Sequence, residues 1–131
     1  MSAEPKPEQM VKGRVIAGFG QGHLLGYPTA NLSLTPDSAR PLEGVYACWV
    51  KINNNTRQAG ILVSGVYQEV DKSLRQEVYV IDFAGDIYGA DLTVEIVGRL
   101  RDLILMAEPA ELSRRIEQDI VAAKKILDLK S

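Results

Sequence analysis

Three stretches of this 131-residue chain carry residue types that can do chemistry. The first is residues 18–32, GFGQGHLLGYPTANL. Glycines at 18, 20, 22 and 26 let backbone N–H groups approach an anion closely, because no Cβ stands in the way. Thr29 and Asn31 follow, two small oxygen-bearing side chains two residues apart. Hydroxyl and amide oxygens of that kind suit a hard cation such as Mg²⁺ together with phosphate. The stretch is not a Walker loop, since it lacks a Gly-Lys-Ser/Thr ending and no helical pattern follows. On the residues alone two readings stand: a phosphate cradle, or a strained barrel rim where Thr29 and Asn31 only satisfy backbone groups.

The second stretch is LRQEVYVIDF, residues 74–83. In an extended strand Glu77 shares a face with Tyr79, Ile81 and Phe83. A partly desolvated carboxylate there suits a general base. A strand-end glutamate facing solvent fits the same pattern, because both faces of this strand carry apolar residues. The third stretch is DFAGDIYG, where Asp82 and Asp86 flank a glycine in turn-forming fashion. Arg99 and Arg101 are open to two readings, phosphate contacts or ordinary surface charge. His23 is the sole histidine and Cys48 the sole cysteine. Multi-histidine metal sites, cysteine-based metal clusters and internal disulfides are therefore excluded. Trp49 reads as core.

Those residues need elements to hold them. Hydrophobic residues make up 46% of the chain and charged residues 24%, which is globular composition rather than disorder. The length suits one domain. Lys plus Arg number 15 against 17 Asp plus Glu, a formal net charge of -2 that argues against a duplex nucleic-acid binder. The start, MSAEPKPEQM, lacks the apolar core of a secretory signal, and no apolar run approaches membrane-spanning length. The expectation is a cytoplasmic protein with no membrane, nucleic-acid or obligatory protein partner. Residues 1–9 read as a flexible lead-in and residues 10–131 as the domain.

Strand-forming composition marks residues 11–19, 45–52, 58–67 and 74–83. Asn53-Asn54-Asn55 reads as a hairpin turn, because Asn tolerates left-handed backbone angles. Pro28 makes residues 24–34 a loop or an irregular edge, and residues 35–43 a loop by composition. Period-two alternation over residues 92–100 puts Leu92, Val94, Ile96, Gly98 and Leu100 on one face. From Pro109 the period changes: Leu112, Ile116, Ile120, Ala123 and Leu127 fall at helical spacing. That predicts an amphipathic helix over about 109–129, with Glu111 and Arg115 as an i,i+4 pair. Short strands, hairpin-like links and no βαβ rhythm imply an all-β antiparallel sheet or small barrel with a C-terminal helix.

In family order, several of these pieces resemble riboflavin kinase, including the domain at the C-terminal end of bacterial bifunctional riboflavin kinase/FAD synthetases. They are the Gly-rich Pro-Thr-Ala-Asn segment, then GVYA at 44–47, then QEVYVIDFAGDIYG, VEIVGRLR and LSRRIEQDIVAAKKIL. The last of them carries an Ile-x-x-Asp pattern at Ile116 and Asp119. The resemblance spans residues 11 to about 127. It implies a six-stranded antiparallel Greek-key β-barrel. It implies ATP-dependent phosphorylation of the riboflavin 5′-hydroxyl, giving FMN and ADP. Carried over by position, Thr29 and Asn31 match the pair that binds Mg²⁺ and nucleotide phosphates. Gly18, Gly20, Gly22 and Gly26 match the loop around the nucleotide, with His23 and Pro28 in the same stretch. Glu77 matches the base that accepts the ribityl hydroxyl proton.

The chain departs from the family pattern in three places. An arginine is usual near His23. The segment VSGVYQEVDKS has Gly65 but no proline after it, and Asp102-Leu103-Ile104-Leu105-Met106 is more apolar than usual. In the family the last two segments are the mobile loops around the flavin. A non-catalytic flavin- or nucleotide-binding barrel is therefore the second reading. A protein-interaction barrel using residues 103–106 is the third. No adenylyltransferase region precedes the barrel in this sequence, so the kinase step alone is expected.

Overall fold

The computed structural model describes residues 9–16, 29–67, 74–83, 85–103 and 108–128. Alternating and β-branched segments form β1 (Met10–Ile16), β2 (Ala30–Leu34), β3 (Gly44–Ile52), β4 (Gln58–Tyr67), β5 (Leu74–Val80) and β6 (Asp91–Arg101). All neighbouring pairs are antiparallel, and the sheet closes as a barrel in the order β1-β2-β5-β4-β3-β6. Strands β3, β4 and β5 follow one another, and β2 lies beside β5, which is the Greek-key arrangement. Closure leaves no free sheet edge. One helix among the described residues, α1 (Pro109–Ile126), packs against the outside of β3, β4 and β6.

The apolar residues divide into two layers because β3 and β4 are buried on both faces. Val11, Leu32, Cys48, Val50, Leu62 and Val78 are among those filling the barrel. Val45, Ala47, Ala59 and Ile61 point the other way and meet Ala123 and Leu127 of the helix. Full burial inside the barrel pushes the Cys48 thiol pKa far up, so it packs as a small neutral group.

The expected hairpin is present. Asn53 and Asn54 have φ of 50° and 64°, and the Asn55 N–H donates to the Ile52 carbonyl at 2.9 Å. Two left-handed residues in succession match the twist of the flanking strands. The helix starts with Pro109 in its first turn and has the Glu111–Arg115 pair at 3.6 Å. It ends at Ile126 rather than near 129, with Leu127 as cap and Asp128 at φ 54°. A left-handed residue there closes the helix.

Two expectations need correction. Residues 30–34 are not loop or edge: β2 pairs with β1 on one side and β5 on the other. Pro28 lies ahead of the strand in sequence, so it removes no ladder donor. The alternation of β6 also does not run unbroken to Leu100. Its register with β3 shifts between Ala47 and Cys48 and again between Val45 and Tyr46. An extra residue in one strand switches faces beyond it. Ile96 therefore packs on the barrel interior, whereas Leu100 packs in the helix-side layer. Gly98 lies under the helix, where an added Cβ would stand 3.5 Å from Ile126 Cγ2.

A further irregularity occurs in β4, where the register with β5 shifts between Ser64 and Val66. Gly65 sits there at φ 105°, and a Cβ on it would lie 2.5 Å from Glu43 Cγ. Both the backbone angle and the space favour glycine. We expect Gly65→Ala to destabilise the fold by about 1–3 kcal/mol. Urea unfolding checks this, and a variant as stable as the parent would show that the bulge tolerates a side chain.

Candidate functional site

Strand alternation decides which side chains leave the barrel. Ala30 and Leu32 pack inside, so Thr29 and Asn31 project from the opposite face. Val78 and Val80 pack inside, so Glu77 and Tyr79 project outward. Because β2 and β5 are neighbours, Asn31 lies directly opposite Glu77 in the ladder. The Thr29 hydroxyl donates to Glu77 Oε1 at 3.1 Å, across 48 positions of sequence. The barrel thus brings together the three site residues with polar side chains on β2, its leading residue and β5.

Outward does not mean solvated here. Asn31 is 2% exposed and Glu77 6%. Neither Nδ2 nor Oδ1 of Asn31 has a hydrogen-bond partner among the described residues. An amide buried without a partner costs on the order of 1–3 kcal/mol, which makes Asn31 a candidate ligand-binding group. On the β4 side, Val63 stands opposite Glu77. Val63 and Tyr79 belong to the helix-side layer, with Leu103 and Ile120. The polar corner is therefore bordered by an apolar one.

The donor set at this corner is all oxygen: the Thr29 hydroxyl, the Asn31 amide carbonyl and the Glu77 carboxylate. Among the described residues no group of three or more His, Cys, Asp or Glu forms a metal cage. The oxygen donors themselves suit Mg²⁺, which prefers hard oxygen ligands and keeps water and phosphate oxygens around it. Thr29 and Asn31, with Glu77 beside them, are the residues that would hold it.

Gly18, Gly20, Gly22, His23, Gly26 and Pro28 lie outside the described residues, as do positions 68–73 and 104–107. The two arginines considered as phosphate ligands are engaged elsewhere. Arg99 Nη2 donates to Asp102 Oδ1 at 2.7 Å. Arg101 forks onto Asp119, Nε to Oδ1 at 2.9 Å and Nη2 to Oδ2 at 2.8 Å. Asp86 Oδ1 accepts the Tyr88 N–H at 2.9 Å and Asp82 pairs with Lys124 at 3.3 Å, both turn or surface roles. Trp49 is half-buried against the helix-side layer, with the Arg57 guanidinium 4.0 Å above its ring. Leu103 packs into that layer too, so the apolar segment at 103–106 begins as core.

Sequence reasoning assigned no role to the buried polar residues Ser64 and Gln76, nor to the contact made by Asp119. For Asp119 a signal existed: it falls with Ile116, Ile120 and Ala123 on the apolar stripe, where a lone carboxylate requires a partner.

A family model described as "Flavokinase: Riboflavin kinase" matches residues 6–127. The bifunctional riboflavin kinase/FMN adenylyltransferase of Buchnera aphidicola subsp. Acyrthosiphon pisum is 32% identical over 122 residues, covering 91% of this chain and 39% of that protein. A crystal structure named a macrolide-efflux protein, from Streptococcus pneumoniae, superposes with TM-score 0.80 at 30% identity, covering 88% of this chain and 38% of the other. The riboflavin kinase structure from Trypanosoma brucei has TM-score 0.69 at 22% identity, covering 92% and 80%. The last likeness is one of fold. The chain spans 17% and 39% of the length of the first two curated relatives it matches.

Proposed function

Because this chain belongs to the riboflavin kinase family, we propose that it transfers the γ-phosphoryl group of ATP to the 5′-hydroxyl of riboflavin, giving FMN and ADP. The buried Asn31 amide, without a hydrogen-bond partner among the described residues and across the ladder from Glu77, is the observation that carries this reading. Phosphoryl transfer asks mainly for positioning and charge stabilisation. The 5′-oxygen forms a bond to the γ-phosphorus while the bond to the β,γ-bridging oxygen breaks, and ADP leaves. Glu77 takes the hydroxyl proton. Thr29 fixes the carboxylate by donating to Oε1. Thr29 and Asn31 face the phosphate side of the nucleotide and would hold Mg²⁺ there, which would supply neutralisation of phosphate charge. The apolar border of Val63, Tyr79 and Leu103 suits a substrate that joins a flat ring to a polyol. The outlying glycines 18, 20, 22 and 26, with His23 and Pro28, complete the nucleotide side of the proposal.

The test is incubation of the protein with riboflavin, ATP and Mg²⁺, followed by separation of FMN; absence of FMN overturns the reading. The same assay with CTP reports nucleotide choice. The Asn31 side chain has a sharper signature. Asn31→Ala removes a buried amide that has no hydrogen-bond partner among the described residues, so stability is expected to hold or rise. Activity should fall by about tenfold or more, with the loss in KM for MgATP as well as kcat. A variant that loses stability yet keeps its KM for MgATP would make Asn31 a structural residue instead.

A further inference from the structure

We propose that Gln76 is a positioning residue that anchors the strand carrying Glu77, an inference that rests on the kinase reading for its catalytic consequence only. Strand β5 is gripped on both sides over a short length. Against β2 the register runs through Ala30↔Val78 and Asn31↔Glu77 to Leu32↔Gln76. Against β4 it runs regularly from Gly60↔Val80 to Ser64↔Gln76, then breaks at Gly65. Gln76 is thus the last doubly paired residue before the ladder becomes irregular, and Glu77 is its immediate neighbour. Backbone beside a bulge is held less regularly than backbone inside a ladder.

The Gln76 side chain points away from the site, on the barrel-interior face of β5, and is 2% exposed. Its Nε2 donates to Ser64 Oγ at 2.8 Å, and Ser64 Oγ donates to the Pro41 carbonyl at 3.0 Å. This string ties β5 to β4 and to the connection between β2 and β3. Its other end is unmatched, since Gln76 Oε1 has no partner among the described residues. A polar pair with an orphaned acceptor, set beside an apolar barrel core, stabilises less than two apolar side chains would. Its contribution is therefore geometric. Shifting β5 by two residues would keep valines facing inward, so apolar packing alone discriminates weakly against it. The same shift would separate Gln76 from Ser64. The hydrogen bond marks one register, and that register places Glu77 opposite Asn31 and within reach of Thr29.

Gln76→Met and Ser64→Ala test this separately. Each is read by melting temperature, by kcat and KM in FMN formation, and by amide hydrogen exchange at Glu77 and Val78. Anchoring predicts an unchanged or higher melting temperature in Gln76→Met and a lower one in Ser64→Ala, which strands the buried Gln76 amide. In both, exchange at Glu77 and Val78 should be faster by about tenfold and kcat, measured well below melting, lower by about tenfold with KM nearly unchanged. Unchanged exchange and kcat in both variants would overturn it. So would a kcat loss that merely follows a lowered melting temperature and disappears on cooling. If the parent protein forms no FMN, the kinase reading fails, and the exchange data alone decide whether Gln76 anchors the strand.

Discussion

Glu77→Gln is expected to lower kcat for FMN formation by about 10²–10⁴-fold, the usual contribution of a positioned general base. The substitution preserves shape and leaves an amide oxygen to accept the Thr29 hydroxyl, which in the parent reaches Oε1 at 3.1 Å. It removes the capacity to hold a proton at the transferring hydroxyl. That capacity is used in the transition state rather than in substrate binding, so KM for riboflavin and ATP should change little. Glu77 is 6% exposed in the parent. A neutral amide in that place carries a smaller desolvation cost than a carboxylate, so the melting temperature should not fall. Glu77→Asp keeps the charge but withdraws it by one methylene, and should recover part of the rate only if distance is the remaining defect. Full turnover in Glu77→Gln would remove Glu77 from the proton path. A large rise in KM for MgATP with kcat intact would reassign it to binding the nucleotide.

The distance between Thr29 and Glu77 in the chain shows where sequence reading ends. Each residue carried its own local signal: a small oxygen donor after a Gly-rich stretch, and a carboxylate in an apolar strand. Their contact depends on β2 lying beside β5, and that order follows from barrel closure rather than from either segment. The Asn53–Asn54 hairpin and the helix were readable because backbone preference and periodicity are local. β2 is hidden in the sequence because Pro28 suggests an interruption, whereas the strand begins after it. The face switch in β6 was invisible because a bulge changes parity without changing composition. The interior placement of Ser64 and Gln76 is hidden for a related reason. In β3, β4 and β5 both faces carry apolar residues, so alternation marks two faces without saying which is the interior. The resemblance of the motifs to riboflavin kinase points to candidate site residues, and the register explains how three of them meet.

The Arg101–Asp119 fork allows a second large effect to be argued from geometry. Asp119 is almost fully buried and Arg101 retains one-fifth of its side-chain exposure, 8% against 20%. Two nitrogens of the guanidinium meet two carboxylate oxygens, and Nη1 also donates to the Asp102 carbonyl at 3.0 Å. The pair joins the end of β6 to the middle of α1, on either side of the 102–108 connection. Asp119→Ala leaves a partly buried guanidinium with two donors unmatched. Breaking a buried pair in this way costs about 3–5 kcal/mol, and the residual exposure of Arg101 places the expected loss near the low end, about 3 kcal/mol. For a chain of this size that is a fall in melting temperature on the order of 10 °C. The charge, rather than the contact area, is responsible, so Arg101→Met combined with Asp119→Leu should restore most of the stability. Asp119→Ala within about 1 kcal/mol of the parent would show that the fork is a surface pair in effect. The same helix presents Ile120 to the layer that contains Val63 and Tyr79 beside Glu77. Loosening it should therefore lower kcat at temperatures well below melting in Asp119→Ala, and the apolar double variant should recover that rate along with the stability. Recovery of stability without recovery of rate would mean that the charge at Arg101, and not the seating of the helix, is what the site uses.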